Sequence, residues 1–318
     1  MNTHLWLLKR EYWEHRGGFL RAPLIASGIF LFINLMAIIT GEVFSRRAGI
    51  SINGEQMDMI TRQLQSNGAN VGAVLDMAMY SAASIAGVVL IFVVFFYCLG
   101  ALYDDRRDRS VLLWKSLPIS DRDTVLSKLA SAGLVAPVVA VLVGIVCALV
   151  MLLMTAVAAS LHGLPAWQLL AQSNPFRVMF TLLALIPVNL VWALPTLGWL
   201  LLVSAWARSK PFLWAVGIPV GAGILLTWFN LLSSMGMPSG WFWEHIVGRA
   251  LLGAVPMGWL GHAADMFRDV RDPQELLDTL TVTSAYAQLV RPEFWLGAIA
   301  GAAMIAAAIW MRGKRTEV

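Results

Sequence analysis

Residues 88–150 read VVLIFVVFFYCLGALYDDRRDRSVLLWKSLPISDRDTVLSKLASAGLVAPVVAVLVGIVCALV. An apolar run gives way to a segment dense in charge, and that segment to a second apolar run. Crossing the hydrocarbon core of a bilayer takes about 20 apolar residues in a helix. Only helices and closed barrels satisfy every backbone group there, and uninterrupted runs of this length without period-two alternation are helices. Working outward, six stretches qualify as spans: 22–41, 80–102, 129–157, 178–206, 211–236 and 294–311. The composition is 58% hydrophobic and 13% charged, whereas a soluble domain carries about 25% charged residues. So few charges cannot cover a globular surface. The expected fold is an all-α integral membrane protein, a single transmembrane domain over residues 1–318.

The charges are sorted along the chain. With the N-terminus placed in the cytoplasm, all five lysines, Lys9, Lys115, Lys128, Lys210 and Lys314, fall on the inner side, the distribution that the positive-inside rule describes. Six spans return the C-terminus to that side, so both termini are expected to be cytoplasmic and the protein to sit in the inner membrane. The net charge of +4 and pI near 9.3 therefore report topology and give no reason to expect nucleic acid as a partner; lipid is the surrounding one. Charges crowd residues 9–16 and the first apolar run is of span length, so the start reads as a retained anchor rather than a cleaved signal. Cys98 and Cys147 both fall inside spans and read as small apolar filler.

Between the spans the reading is of short surface elements. Residues 4–16 form an amphipathic helix with Leu5, Leu8 and Tyr12 on one side and Arg10 four residues before Glu14, lying in the interface plane. Gly17 and Gly18 break it. The connection 42–78 holds a modest helix with Met57, Ile60 and Leu64 on one side. The longest stretch outside the spans, 237–293, carries Trp241, Trp243 and Trp259 as interfacial aromatics. Within it 246–260 is apolar but too short to cross, so it is expected to be re-entrant or surface-lying. Asp272-Pro273-Gln274-Glu275 starts a short polar helix. Gly217 with Gly221, Gly297 with Gly301, and Ala140, Gly144 and Ala148 make small-residue faces for close helix contact. Pro187, Pro195 and Pro219 are expected to kink spans four and five.

The six core stretches contain no Asp, Glu, Lys, Arg or His. Ion-coupled transporters and intramembrane proteases need ionisable groups at that depth, so both classes lose ground. The polar residues at depth are Asn34, Tyr97, Asn189, Thr227 and Asn230; they read as interhelical hydrogen bonding or as a weakly polar substrate path. His162, His245 and His262, with Glu244 and Asp265 nearby in sequence, match no metal-ligand spacing, and no metal is expected. No G-x-x-x-x-G-K-[ST] loop is present, since Gly313-Lys314 lacks the preceding glycine and strand.

The most specific segment is 103–128. Acidic and basic residues alternate over 104–109, as on an exposed, salt-bridged helical face. After Pro118, Ser120 through Asp123 form a capping box, so a short helix should start at Asp121 and run toward span three. The cluster Asp105-Arg106-Arg107, then Leu112-Leu113, then Ser116-Leu117-Pro118-Ile119-Ser120 and a helix reaching Lys128 resembles the inner loop between spans two and three of the ABC type-2 export permeases. Arg109 precedes Ser110 where many relatives have a glycine. The resemblance extends to the N-terminal interfacial helix, which would be the family's elbow helix carrying Lys9, Arg10 and Glu14, to the six spans and to the outer excursion with short helices before span six. It implies that Pro118, Ser120, Asp121, Arg122, Asp123 and Lys128 belong to a coupling helix seated in a cleft of a separate cytoplasmic ATPase. ATP and Mg would be bound by that partner, leaving this chain without a cofactor or catalytic residues, and a second permease chain, identical or related, would complete the pathway. The implied function is the permease subunit of an ATP-driven exporter. Two alternatives stand beside it: a membrane-embedded lipid-modifying enzyme, and a non-conducting subunit that anchors the ATPase.

Cysteines introduced at Ser51 and Ser284 are expected to react with an impermeant thiol reagent applied outside intact cells. Protection of both would overturn the topology.

Overall fold

A computed structural model describes residues 3–47, 68–108, 119–161, 170–233, 239–256, 258 and 273–314. Pro118, Met57, Ile60, Leu64, His162, Trp259, His262, Asp265 and Asp272 lie outside them. The described residues are helices and short connections, and six helices are long and apolar enough to cross a membrane: Gly17–Phe44, Val71–Arg107, Asp121–Leu161, Pro175–Trp206, Pro211–Asn230 and Pro292–Lys314. The chain is an all-helical, multi-pass membrane protein.

Spans two and three pack together, as do spans four and six, and these two pairs form the core, while spans one and five lie at the periphery. Small residues explain both close contacts. A Cβ on Gly144 would lie 3.3 Å from that of Ala83, which places the Ala140, Gly144 and Ala148 face of span three on span two. A Cβ on Gly198 would lie 2.5 Å from the Gly301 carbonyl oxygen, and one on Gly301 would lie 2.5 Å from the Leu194 carbonyl carbon. Backbone therefore meets backbone, an approach that only glycine permits. Gly217 and Gly221 have nothing within 4 Å of where a Cβ would stand; the small face expected on span five is unpartnered among the described residues. Cys98 and Cys147 are free and buried among apolar side chains.

The prolines differ in effect. Span four is two helices, Pro175–Ala184 and Ile186–Trp206, and Pro187 sits in the first turn of the second, where its missing N–H costs nothing. Pro195 and Pro219 lie inside helices. The N-terminal end of span two carries Asp76, which is buried and accepts a hydrogen bond at 2.8 Å from the Asn174 amide at the start of span four. A carboxylate thus satisfies a helix amide left without an intrahelical partner.

After span five, Ser239–Phe242, a π-helical stretch Trp243–Gly248 and Arg249–Leu252 make one short helical segment. It runs in among the spans. The Arg249 carbonyl accepts from Thr196 Oγ1 at 2.6 Å, halfway along the Ile186–Trp206 helix, and Pro256 stands against Gly87 of span two. Of the two alternatives left open for 246–260, the described part is therefore re-entrant. Helices Pro273–Thr279 and Val282–Ala287 follow, the second capped by the Thr281 hydroxyl accepting from the Ser284 amide.

Gly301→Leu drives a side chain into the backbone of span four, where nothing can yield, and is expected to cost about 1–3 kcal/mol or more. Thermal unfolding in detergent should register this as a clear loss of stability, with Gly217→Leu, on the open face, close to wild type.

Candidate functional site at the lysine-rich face

The N-terminal helix, the end of span two, the start of span three and the end of span six meet at the face where the lysines collect. In the N-terminal helix Thr3–Glu14 the stripe of Leu5, Leu8 and Tyr12 is only partly covered: Tyr12 packs on the core and Leu8 is half-buried. Leu5 is 63% exposed, whereas Leu7 and Glu11 are buried. The reason is Glu11, 2% exposed, whose carboxylate accepts from the Tyr97 hydroxyl at 2.8 Å and faces the Lys128 ammonium at 3.3 Å. A buried carboxylate with two such partners outweighs the apolar contact that Leu5 would gain, because leaving the charge unpaired costs several kcal/mol.

Lys128 is 4% exposed and also lies 3.6 Å from Asp105 Oδ1. The other oxygen of Asp105 takes Arg312 Nη1 at 2.9 Å, and Arg312 Nε donates to Asp121 Oδ1 at 3.2 Å. Arg312 is 3% exposed. One chain of ion pairs therefore runs from Glu11 through Lys128, Asp105 and Arg312 to Asp121, tying together four parts of the sequence. His15 closes its near end, with Nδ1 3.8 Å from Glu11 and its ring edge-on to Tyr97 at 4.7 Å.

A second lock lies beside it. Span two breaks at Leu102 before the short helix Tyr103–Arg107. Ser204 Oγ fills the break, donating to the Leu99 carbonyl at 2.7 Å and accepting from the Leu102 and Tyr103 amides, both at 3.0 Å. Arg106, also buried, donates through Nη2 to the carbonyls of Ser204 at 2.6 Å and Ala207 at 2.9 Å. It thereby caps the end of span four, whose last carbonyls have no helical partners and carry the negative end of the dipole.

The capped helix is Asp121–Ala130, which continues through a π-helical turn, Ser131–Val135, into span three. Ser120 is extended at its N-cap, and its hydroxyl accepts from the Asp123 amide at 3.1 Å. The acid of the capping box differs from expectation: Asp123 Oδ2 receives the Ser120 hydroxyl at 2.7 Å. Asp is one methylene shorter than the Glu usual at this position, and here it finds the hydroxyl rather than the backbone amide. The helix thus has two sides. Ser120 and Arg122 are exposed, while Asp121 and Lys128 turn inward to the ion-pair chain.

The remaining singled-out residues are dispersed. Lys9, Arg10 and Glu14 are exposed; Lys9 lies over the Trp6 ring at 5.4 Å, and Arg10 pairs with Glu14 at 3.6 Å. Asn34 donates to Phe30 O at 2.9 Å within span one, and Thr227 donates to Gly223 O at 2.8 Å while accepting from Trp243 Nε1 at 3.0 Å. Tyr97 belongs to the ion-pair site, Asn189 is half-buried beside Leu190 in span four, and Asn230 is half-buried near the far end of span five. Glu11, Ser204 and Arg312 are what sequence reasoning passed over, and Asp105 and Arg106 were singled out only as part of the charged cluster, without their partners. The one available signal was Arg312 directly after an apolar run. Among the described residues no group of three or more His, Cys, Asp or Glu is placed to hold a metal ion.

The chain matches no family model, no curated protein and no solved structure.

Lys128→Met leaves Glu11 buried without its ammonium and is expected to cost about 3–5 kcal/mol, with much of the loss regained when Glu11→Gln is added. A double-mutant cycle of thermal unfolding checks this; additive losses would mean that the two residues act independently.

Proposed function

We propose that this chain is the permease subunit of an ATP-driven exporter and that helix Asp121–Ala130 is where a separate cytoplasmic ATPase pushes. One observation carries the reading. The helix presents a capped, charged end to solvent and is bound on its other side to three further parts of the bundle through buried ion pairs. A force on its exposed end reaches span three through continuous helix, and reaches span two, span six and the N-terminal helix through Lys128, Asp105 and Arg312. A solvated topogenic loop has no need of such bracing. The sequence from Ser116 to Lys128, with its likeness to the ABC type-2 permeases, supports the same reading, as do six spans without an ionisable relay in their cores.

Within this reading Ser120, Arg122 and Asp123 face the ATPase, with Pro118 before them, and Asp121 and Lys128 transmit. Lys9, Arg10 and Glu14 lie on the interfacial helix against lipid headgroups. ATP and Mg stay with the partner, and two permease chains make the pathway.

Ser120→Ala with Asp123→Ala removes a cap worth about 0.5–2 kcal/mol, which is small for the bundle and large for a short helix end. The double variant is expected to fold normally while losing co-purification of the ATPase and coupled hydrolysis. Arg122→Glu should weaken the association in a salt-dependent way, with Arg62→Glu as the control. Full co-purification and turnover in both would sink the docking assignment, and docking without substrate movement would identify an anchoring subunit.

A further inference from the structure

Spans four, five and six leave a cavity of about 460 Å³ between them, closed on one side by the re-entrant segment. This is within the usual size of small-molecule sites, roughly 300–1,000 Å³. Its walls are apolar: Pro195, Trp199, Pro219, Trp241, Leu296 and Met304. Pro195 and Pro219, each inside a helix, both face it. Ile218 and Leu296, also at its wall, are exposed at the surface of the bundle, so the cavity opens at an apolar flank.

Arg249 stands in this wall. It is 8% exposed and comes from the segment whose neighbouring contact, Thr196, is halfway along a spanning helix. Its Nη1 donates to Glu293 O at 2.6 Å, its Nη2 to Phe294 O at 3.0 Å, and its guanidinium lies 4.1 Å from the centre of the Trp192 ring. Its Nε is buried with no acceptor. The place is built for it, because any Cβ on Gly297 would overlap the guanidinium. Among the described residues no carboxylate is within ion-pair distance of it. Glu293, also at the wall, is 64% exposed and turns its carboxylate toward His245 Nε2 at 3.9 Å. Carbonyl dipoles and a ring face therefore hold a full positive charge beside a hydrocarbon-lined space.

An ionisable side chain at membrane depth marks a functional site, and a buried cation gains most from an anion that shares its low-dielectric surroundings. We infer that this cavity binds an amphiphile with a single alkyl chain and an anionic head, the chain along Pro195, Pro219 and Met304 and the head drawn to Arg249, with His245 beside it. Glu293, engaged with His245, disfavours doubly charged heads and leaves a single negative charge as the best match. The site stands on the cavity and Arg249 alone, independent of any ATPase.

The test uses the full chain in phosphatidylcholine nanodiscs with three photoreactive probes: a diazirine palmitate, the corresponding alcohol and a diazirine lysophosphatidylcholine. Peptides from 211–222 and 292–304 are expected to be labelled by the carboxylate about tenfold more than by the alcohol, the ratio a charge-assisted contact supplies. The zwitterionic probe should fall near the alcohol. Ala300→Trp fills the cavity and should abolish labelling while thermal unfolding stays near wild type. Arg249→Gln should bring the carboxylate down to the alcohol's level. Should that variant fail to fold, the comparison of heads on the wild type and Ala300→Trp still decide the matter. Equal labelling by all three heads, or labelling that survives Ala300→Trp, overturns the proposal.

Discussion

The burial of the Lys128 ammonium is the constraint on which the lysine-rich face is organised. An ammonium taken out of water needs opposite charge close by, and one carboxylate seldom suffices. Glu11 and Asp105 approach it from different helices. Asp105 in turn is shared with Arg312, and Arg312 with Asp121. Each member of the chain is satisfied by a neighbour on another element, so the arrangement cannot be loosened at one place without stranding a charge elsewhere. Such pairs add little net stability over apolar packing. What they add is geometry: the position of the N-terminal helix and the angle at which span three begins follow from charge balance more than from area buried.

The opposite half of the bundle handles a buried cation differently. Arg249 is held by backbone carbonyls and an indole face, with no acid in direct contact among the described residues. Close glycine contacts make this possible. Gly297 leaves room for the guanidinium, and four residues on Gly301 lets span six touch the backbone of span four. The same small-residue ridge thus serves packing at one position and the cation at the next. Lys128 is paired with two carboxylates, whereas among the described residues Arg249 is held by carbonyls and a ring, with the Glu293 carboxylate beyond ion-pair distance. That contrast makes the first a structural joint and the second a site open to a ligand.

The spans were legible because their signal is local and repeated: twenty or so apolar residues identify themselves without a partner. So were the cap at Ser120 and the helix after it, since Ser120 and Asp123 are three residues apart. Which side of the N-terminal helix meets the bundle was not legible. Leu5, Leu8 and Tyr12 make a reasonable apolar stripe, but the decisive contact is Glu11 with Tyr97 and Lys128, more than eighty residues away. Asp105 heads the cluster Asp105-Arg106-Arg107, but its structural role was not legible there, since its partner Arg312 arrives from another part of the chain. Arg249 escaped for a related reason. It lies in the apolar stretch 246–260, too short to cross a membrane, and only the packing of that segment between the spans sets its depth. The helix faces whose partners are distant in sequence are the ones that local patterns cannot orient.

Asp105 and its partner Arg312 are separated by 207 residues, and this has a bearing on how the protein is made. At synthesis rates of roughly 5–20 residues per second, some 10–40 s pass between the emergence of the two. Glu11 and Lys128 meet well before then, so the N-terminal helix and spans two and three can settle while Asp121 awaits its cation and Asp105 has only Lys128 beside it. Those carboxylates stay hydrated for that interval, keeping the junction wet and open until the sixth span is inserted. Assembly therefore finishes with a desolvation step that the ribosome times, and a nascent chain stalled before Arg312 displays a hydrated acidic pair that the finished protein hides.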